Sequence, residues 1–142
     1  MTIAFGAAIF ILFSFLVARW LTAENRERTA VTDLLRAEAG GDADSMIVLI
    51  EGCAERPACA AEARRNARAL SRPGDLRVLR VDSSTAHAIL AEKGPTRVAW
   101  DVGGTSLPYV QCVDVERRGV PFLGGEVVLT GIGPKIKGDA AC

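Results

Sequence analysis

The residues with the most chemistry to offer are four cysteines: Cys53, Cys59, Cys112 and Cys142. Their number is even, none lies in a Cys-x-x-Cys pair, and Cys142 is the last residue of the sequence. Three pairings are possible. Closure of the shortest loop favours Cys53 with Cys59, which leaves Cys112 with Cys142 as a clasp for the tail. By chain entropy, such bridges contribute roughly 2 kcal/mol for the short loop and about 3–4 kcal/mol for the long one. Zinc is the competing chemistry, but a structural zinc site wants closer spacing than that between Cys53 and Cys59. No metal site is expected.

His87 is the single histidine, so any Ser-His or Cys-His nucleophile would have to use it. Ser83 and Ser84 are near it only in sequence. Residues three or four apart on one strand lie too far apart for the hydrogen bond of about 3 Å that activation needs. His87 is therefore read as a strand residue without a catalytic role. Gly103-Gly104 and Gly124-Gly125 are turn punctuation, since no lysine and no strand–loop–helix context makes them phosphate loops. No catalytic residue and no cofactor site is expected.

The elements that position these residues begin with an apolar segment. Ile3 to Ala18 reads IAFGAAIFILFSFLVA without a charge, followed by Arg19, Trp20 and Leu21. At about 1.5 Å per residue, about 20 residues cross a hydrocarbon core of about 30 Å. Ile3, Phe5, Ile9, Phe10, Phe13, Phe15 and Leu16 would meet lipid. Arg19 and Trp20 would sit at the headgroup level. No basic residue precedes the run, and Leu16-Val17-Ala18 puts a bulky leucine where a cleavage site wants a small residue. Residues 1–23 are accordingly expected to be an uncleaved transmembrane anchor. Arg19, Arg26 and Arg28 after the span favour a cytoplasmic domain. The even set of cysteines favours an oxidising compartment, and the extracytoplasmic side of the cell membrane is the expectation.

Residues 24–132 suit one small domain, with 133–142 as a tail tied back by a disulfide. Val31, Leu34, Leu35 and Glu38 share a helical stripe that ends at Gly40-Gly41. Asp42 is an N-cap for a short helix carrying Met46, Ile47, Leu49 and Ile50. Pro57 opens a third helix to Leu70, on which Arg64, Arg65 and Arg68 form a solvated face. Strands are expected at 76–81, 85–91, 96–102, 108–117 and 126–132. On the third of these, Val98, Trp100 and Val102 share one face, and Arg97, Ala99 and Asp101 the other. Tyr109, Gln111, Val113 and Val115 share a face of the next. The fold class is α+β: about three helices packed on a curved antiparallel sheet of four to five strands. Basic and acidic residues number 17 each, and no basic stripe with exposed aromatics marks a nucleic-acid partner.

A long helix, a break at Gly41-Asp42, two further helices and a run of strands resemble the nuclear-transport-factor-2-like fold, a cone-shaped α+β domain. With an N-terminal span, and with the segment TAVTDLLRAEAGGDADSM, the chain is similar to actinobacterial mammalian-cell-entry-associated membrane proteins. The resemblance implies an accessory subunit bound to a membrane-protein complex or envelope component. Some members of the cone superfamily are isomerases that pair an acidic base with an oxyanion-binding tyrosine. The corresponding residues here would be Asp101 and Tyr109. Alternation, however, puts Asp101 on the face opposite Trp100 and hence toward solvent. The expected function is a non-catalytic, anchored binding or scaffolding module. A hydrophobic-ligand or lipid carrier, or a small isomerase or cyclase, is the alternative.

Overall fold

A single helix, α1, runs unbroken from Thr2 to Ala39 in the computed structural model. The structure describes residues 2–84, 92–104, 107–119 and 125–142, with the backbone alone at 2–5, 8, 19–24 and 92. No proline interrupts α1, and Gly6 is its single glycine. It stops where the sequence says it should. Gly41 adopts φ +75°, and the Gly41 and Asp42 amides turn back to donate to the Glu38 and Ala37 carbonyls. This left-handed closure is why a glycine stands there. From Glu27 onward α1 packs on the domain, with Val31, Leu34 and Leu35 fully buried. Its first half does not. Ile9, Phe10, Ile11, Leu12, Phe13, Phe15 and Val17 are all exposed, Phe10 and Phe13 by 70% and 66%.

Among the described residues no helix is long and apolar enough to cross a membrane. The side chains described in the apolar part of α1 are those of 6, 7 and 9–18, so the run from Ile3 to Leu21 extends past them at both ends.

The second helix, α2 (Ala43–Leu49), starts as expected: the Asp42 carboxylate accepts the Ser45 amide at 3.0 Å and its hydroxyl at 2.6 Å. These bonds hold the Asp42 carboxyl below the usual range. Met46 and Ile50 are buried, whereas Leu49 is 40% exposed and Val48 83%. Two turns of helix can turn only one narrow face inward, and Met46 and Ile50 occupy it. The third helix, α3 (Pro57–Leu70), has Pro57 in its first turn. It buries Ala60, Ala63, Ala67 and Leu70 and leaves Arg64, Arg65 and Arg68 in solvent. A disulfide joins Cys53 to Cys59 across the turn before α3, with Cα atoms 5.3 Å apart.

Four strands complete the domain: β1 (Leu76–Ser83), β2 (Glu92–Val102), β3 (Tyr109–Arg118) and β4 (Glu126–Ile132). They form an antiparallel sheet in the order β1-β2-β3-β4. This is the α+β arrangement read from the sequence, with β2 longer at its start than expected. The strand expected over 85–91, with His87, lies outside the described residues, as do residues 120–124 of the connection before β4. The helices cover one face. Val98, Trp100, Val102, Tyr109, Val113, Val115, Leu129 and Ile132 meet them there.

Trp100 is the largest fully buried side chain, and its ring lies 4.9 Å from that of Tyr109, its neighbour across β2 and β3. Removing it would leave a cavity that packed neighbours fill poorly. Trp100→Ala should cost about 3–5 kcal/mol, and Val48→Ala less than about 0.5 kcal/mol. Urea unfolding of the full chain in detergent measures both, and similar costs would contradict this core.

Candidate functional site

The face of the sheet away from the helices carries the C-terminal tail. After β4 the chain keeps to the edge of β3: the Gly133 amide donates to the Cys112 carbonyl at 2.8 Å, and Ile136 to Val110 at 2.7 Å. It then crosses the outer face. Arg97 on β2 donates from Nε to the Ala140 carbonyl at 3.1 Å and from Nη2 to the Gly138 carbonyl. The Cys112–Cys142 disulfide closes the crossing, with Cα atoms 5.6 Å apart. The sequence foresaw the clasp but not the arginine. A tail held at four points is an ordered wall rather than a loose end.

Between this wall and the sheet lies a groove of about 630 Å³. Ala99, Leu107, Pro108, Val110 and Ile136 supply apolar surface, and Arg97, Lys135 and Lys137 supply positive charge. Lys135 Nζ sits 4.5 Å over the Tyr109 ring. No aspartate or glutamate lines the groove among the described residues. The volume falls within the range of small-ligand and peptide sites.

Asp101 and Tyr109 do not come together as an acid and an oxyanion donor. Tyr109 stacks on Trp100 at the inner face, and Asp101 leaves from the outer one. The expectation that Asp101 meets solvent is nevertheless corrected: the residue is only 4% exposed. Arg77, directly opposite on β1, folds over it and donates to both carboxylate oxygens at 3.0 and 2.8 Å. That bidentate pair holds the Asp101 carboxyl below its usual range. Gly104, at φ +73°, lets the guanidinium pass, since a Cβ there would stand 2.7 Å from Arg77 Nη2.

The interior holds polar residues that reading the sequence left unassigned. Trp100 Nε1 donates to Gln111 Oε1 at 2.7 Å, and Gln111 Nε2 donates to Glu38 Oε1 at 2.8 Å. The Gly133 carbonyl accepts from Gln111 Nε2 at 3.3 Å and from Asn66 Nδ2 at 2.9 Å. Glu38, Gln111 and Asn66 are all buried. Glu38 Oε2 and Glu62 Oε1 are buried without a hydrogen-bond partner among the described residues. Burial pushes the Glu38 carboxyl up to about 7; the Gln111 bond opposes this and the charge of Glu62 adds to it. Nearer the start of the domain, buried Glu27 accepts the Thr96 hydroxyl at 2.7 Å and is paired with Arg117.

The signal for the first group was present: Gln111 stands in the inward alternation of β3, and Glu38 in the inward stripe of α1. Each polar residue on an apolar face needs a partner, and each is the other's. Trp100, Leu34, Leu35, Met46 and Ile50 are fully buried between helices and sheet. No three acidic, histidine or cysteine side chains converge on a metal position among the described residues. No protein-family model, curated protein or solved structure matches this chain.

The interior carboxyl gives a pH dependence of definite sign. Its folded pKa is raised to about 7, so the folded state holds a proton that the unfolded chain releases above about 4.5. The stability that Glu38 contributes is therefore full below about 4.5, is lost as pH rises from there through about 7, by about 3 kcal/mol in all, and changes little above that. Glu38→Gln should flatten that fall. Denaturant midpoints from pH 5 to 8 measure it, and an unchanged slope in the variant would place the titration elsewhere. The tail gives a second expectation. Cys142→Ser should lower stability by about 3–4 kcal/mol, the entropy of a loop with a sequence separation of 30. Cys59→Ser should cost nearer 2 kcal/mol.

Proposed function

We propose that the chain is a membrane-anchored, extracytoplasmic, non-catalytic module that binds or scaffolds a membrane-protein or envelope partner. The observation that carries this reading is the first half of α1. Its exposed apolar residues include Ile9, Phe10, Ile11, Leu12 and Phe13 in succession, so every side of the helix is apolar. A helix apolar on all sides has to be covered, and a bilayer is the covering that its length suits. Two disulfides support the oxidising side of that membrane. The large apolar side chains buried between helices and sheet favour binding over catalysis or lipid carriage. The basic rim of the outer groove suits an acidic segment of the partner. The order of three helices and four strands is compatible with the cone-shaped resemblance.

The same helix supports a second reading. Its apolar half is equally suited to packing beside other helices, including those of further copies of this chain, in an assembly. Carbonate extraction and cross-linking distinguish the two. Full-length protein should stay in the membrane pellet, and Phe10→Asp with Phe13→Asp should release it. Recovery of the native chain in the soluble fraction would overturn the anchor. A Phe13→Cys variant that cross-links to itself in intact membranes would favour the assembly. On the groove, Lys135→Glu with Lys137→Glu should lose a partner that copurifies in mild detergent; retention would remove the groove from the binding surface.

A further inference from the structure

Glu38 is placed where its charge would be felt by three parts of the domain at once. It sits on α1 fully buried, bonded through Gln111 to Trp100. Gln111 and Asn66 of α3 together hold the Gly133 carbonyl, the point at which the tail leaves β4. Among the described residues, the charged group that acts on Glu38 from a packed element is Glu62 of α3, which also accepts a bond from Arg65. β2, β3 and the tail root present Trp100, Gln111 and a backbone carbonyl, and the charge beyond them is Lys135, over the Tyr109 ring that packs on Trp100. Among the described residues, Glu38 is bonded by the Gln111 amide and not by a cation.

We propose that Glu38 is a proton-operated latch for the C-terminal tail, closed when the carboxyl is neutral and loosened when it ionises. In the neutral form Oε1 accepts from Gln111 and the proton sits on Oε2, the oxygen without another partner. Ionisation places a bare charge in apolar packing and sets it against Glu62, one turn before Asn66 on α3. The repulsion acts between α1 and α3 at the level where Asn66 and Gln111 grip Gly133. Relief comes by parting that grip, and the segment Gly133–Ile136 that it frees is continuous with the wall of the outer groove. The raised carboxyl, at about 7, sets the latch within the range an extracytoplasmic surface meets. The latch stands on the interior geometry alone and does not depend on what the groove binds.

The test uses the full chain in detergent with Trp20→Phe, so that Trp100 is the sole indole. Trp100 fluorescence should titrate with a midpoint near 7, against about 4.3 for a free glutamate. Amide exchange at Gly133 and Ile136, corrected for its intrinsic pH dependence, should accelerate through the same midpoint. Glu38→Gln should abolish both transitions, and Glu62→Gln should lower the midpoint by removing a like charge. Should Glu38→Gln fail to fold, the Glu62→Gln shift still decides. A transition that survives in Glu38→Gln, a midpoint unmoved in Glu62→Gln, or tail exchange flat from pH 5 to 9 would overturn the latch.

Discussion

Everything in this domain hangs on α1 crossing the sheet, and two buried carboxylates mark the crossing. Glu27 and Glu38 lie about three turns, or roughly 16 Å, apart on the inward side of the helix. A carboxylate inside a protein is costly unless its charge is answered, and the two are answered differently. Glu27 is neutralised by Arg117 and fixed by Thr96, so it ties the helix to β2 and β3 by charge. Glu38 has only amide donors and is relieved by taking up a proton instead. Val31, Leu34 and Leu35 lie between them and supply the apolar burial. The carboxylates add what apolar contact lacks, a fixed axial position, because sliding α1 by one turn would strand both.

The two sides of the sheet do different work for the same reason that strands alternate. Trp100 and Gln111 face the helices and join the core. Cys112, next to Gln111, and its cross-strand partner Arg97, three positions before Trp100, face outward and hold the tail. The pairing of Arg97 with Cys112 across β2 and β3 puts both fastenings at one place. Arg77 and Asp101 make a further outward pair on β1 and β2. The outer face thus carries bonded polar pairs beside the tail, and the groove between tail and sheet is an apolar recess.

Much of this was legible in the sequence because it is local. Gly41, Asp42 and Pro57 specify helix ends within a few residues, and the alternation through Val98, Trp100 and Val102 specifies a face. The cysteine pairing followed from loop length, and the structure has that pairing. What the sequence hid depends on pairs far apart along the chain. Asp101 was given the correct face but the wrong surroundings, because nothing near it announces that Arg77 will lie across from it. Glu38 and Gln111 are separated by 73 positions, and each alone looks like a flaw in an apolar stripe. Arg97 reads as a solvated strand residue until the tail is laid against it.

The unbroken course of α1 has a geometric consequence for anything that meets the domain. No glycine, proline or turn lies between Ala7 and Ala39, so there is no swivel between the apolar half and the sheet. The bearing of the outer groove around the helix axis is then dictated by residue count alone. One residue added near Asn25 would swing the groove by about 100° and raise it about 1.5 Å, and only about seven residues, two full turns, would return it close to its first bearing. A flexible tether would forgive such a change. This rod converts the number of residues between its two halves into a compass direction.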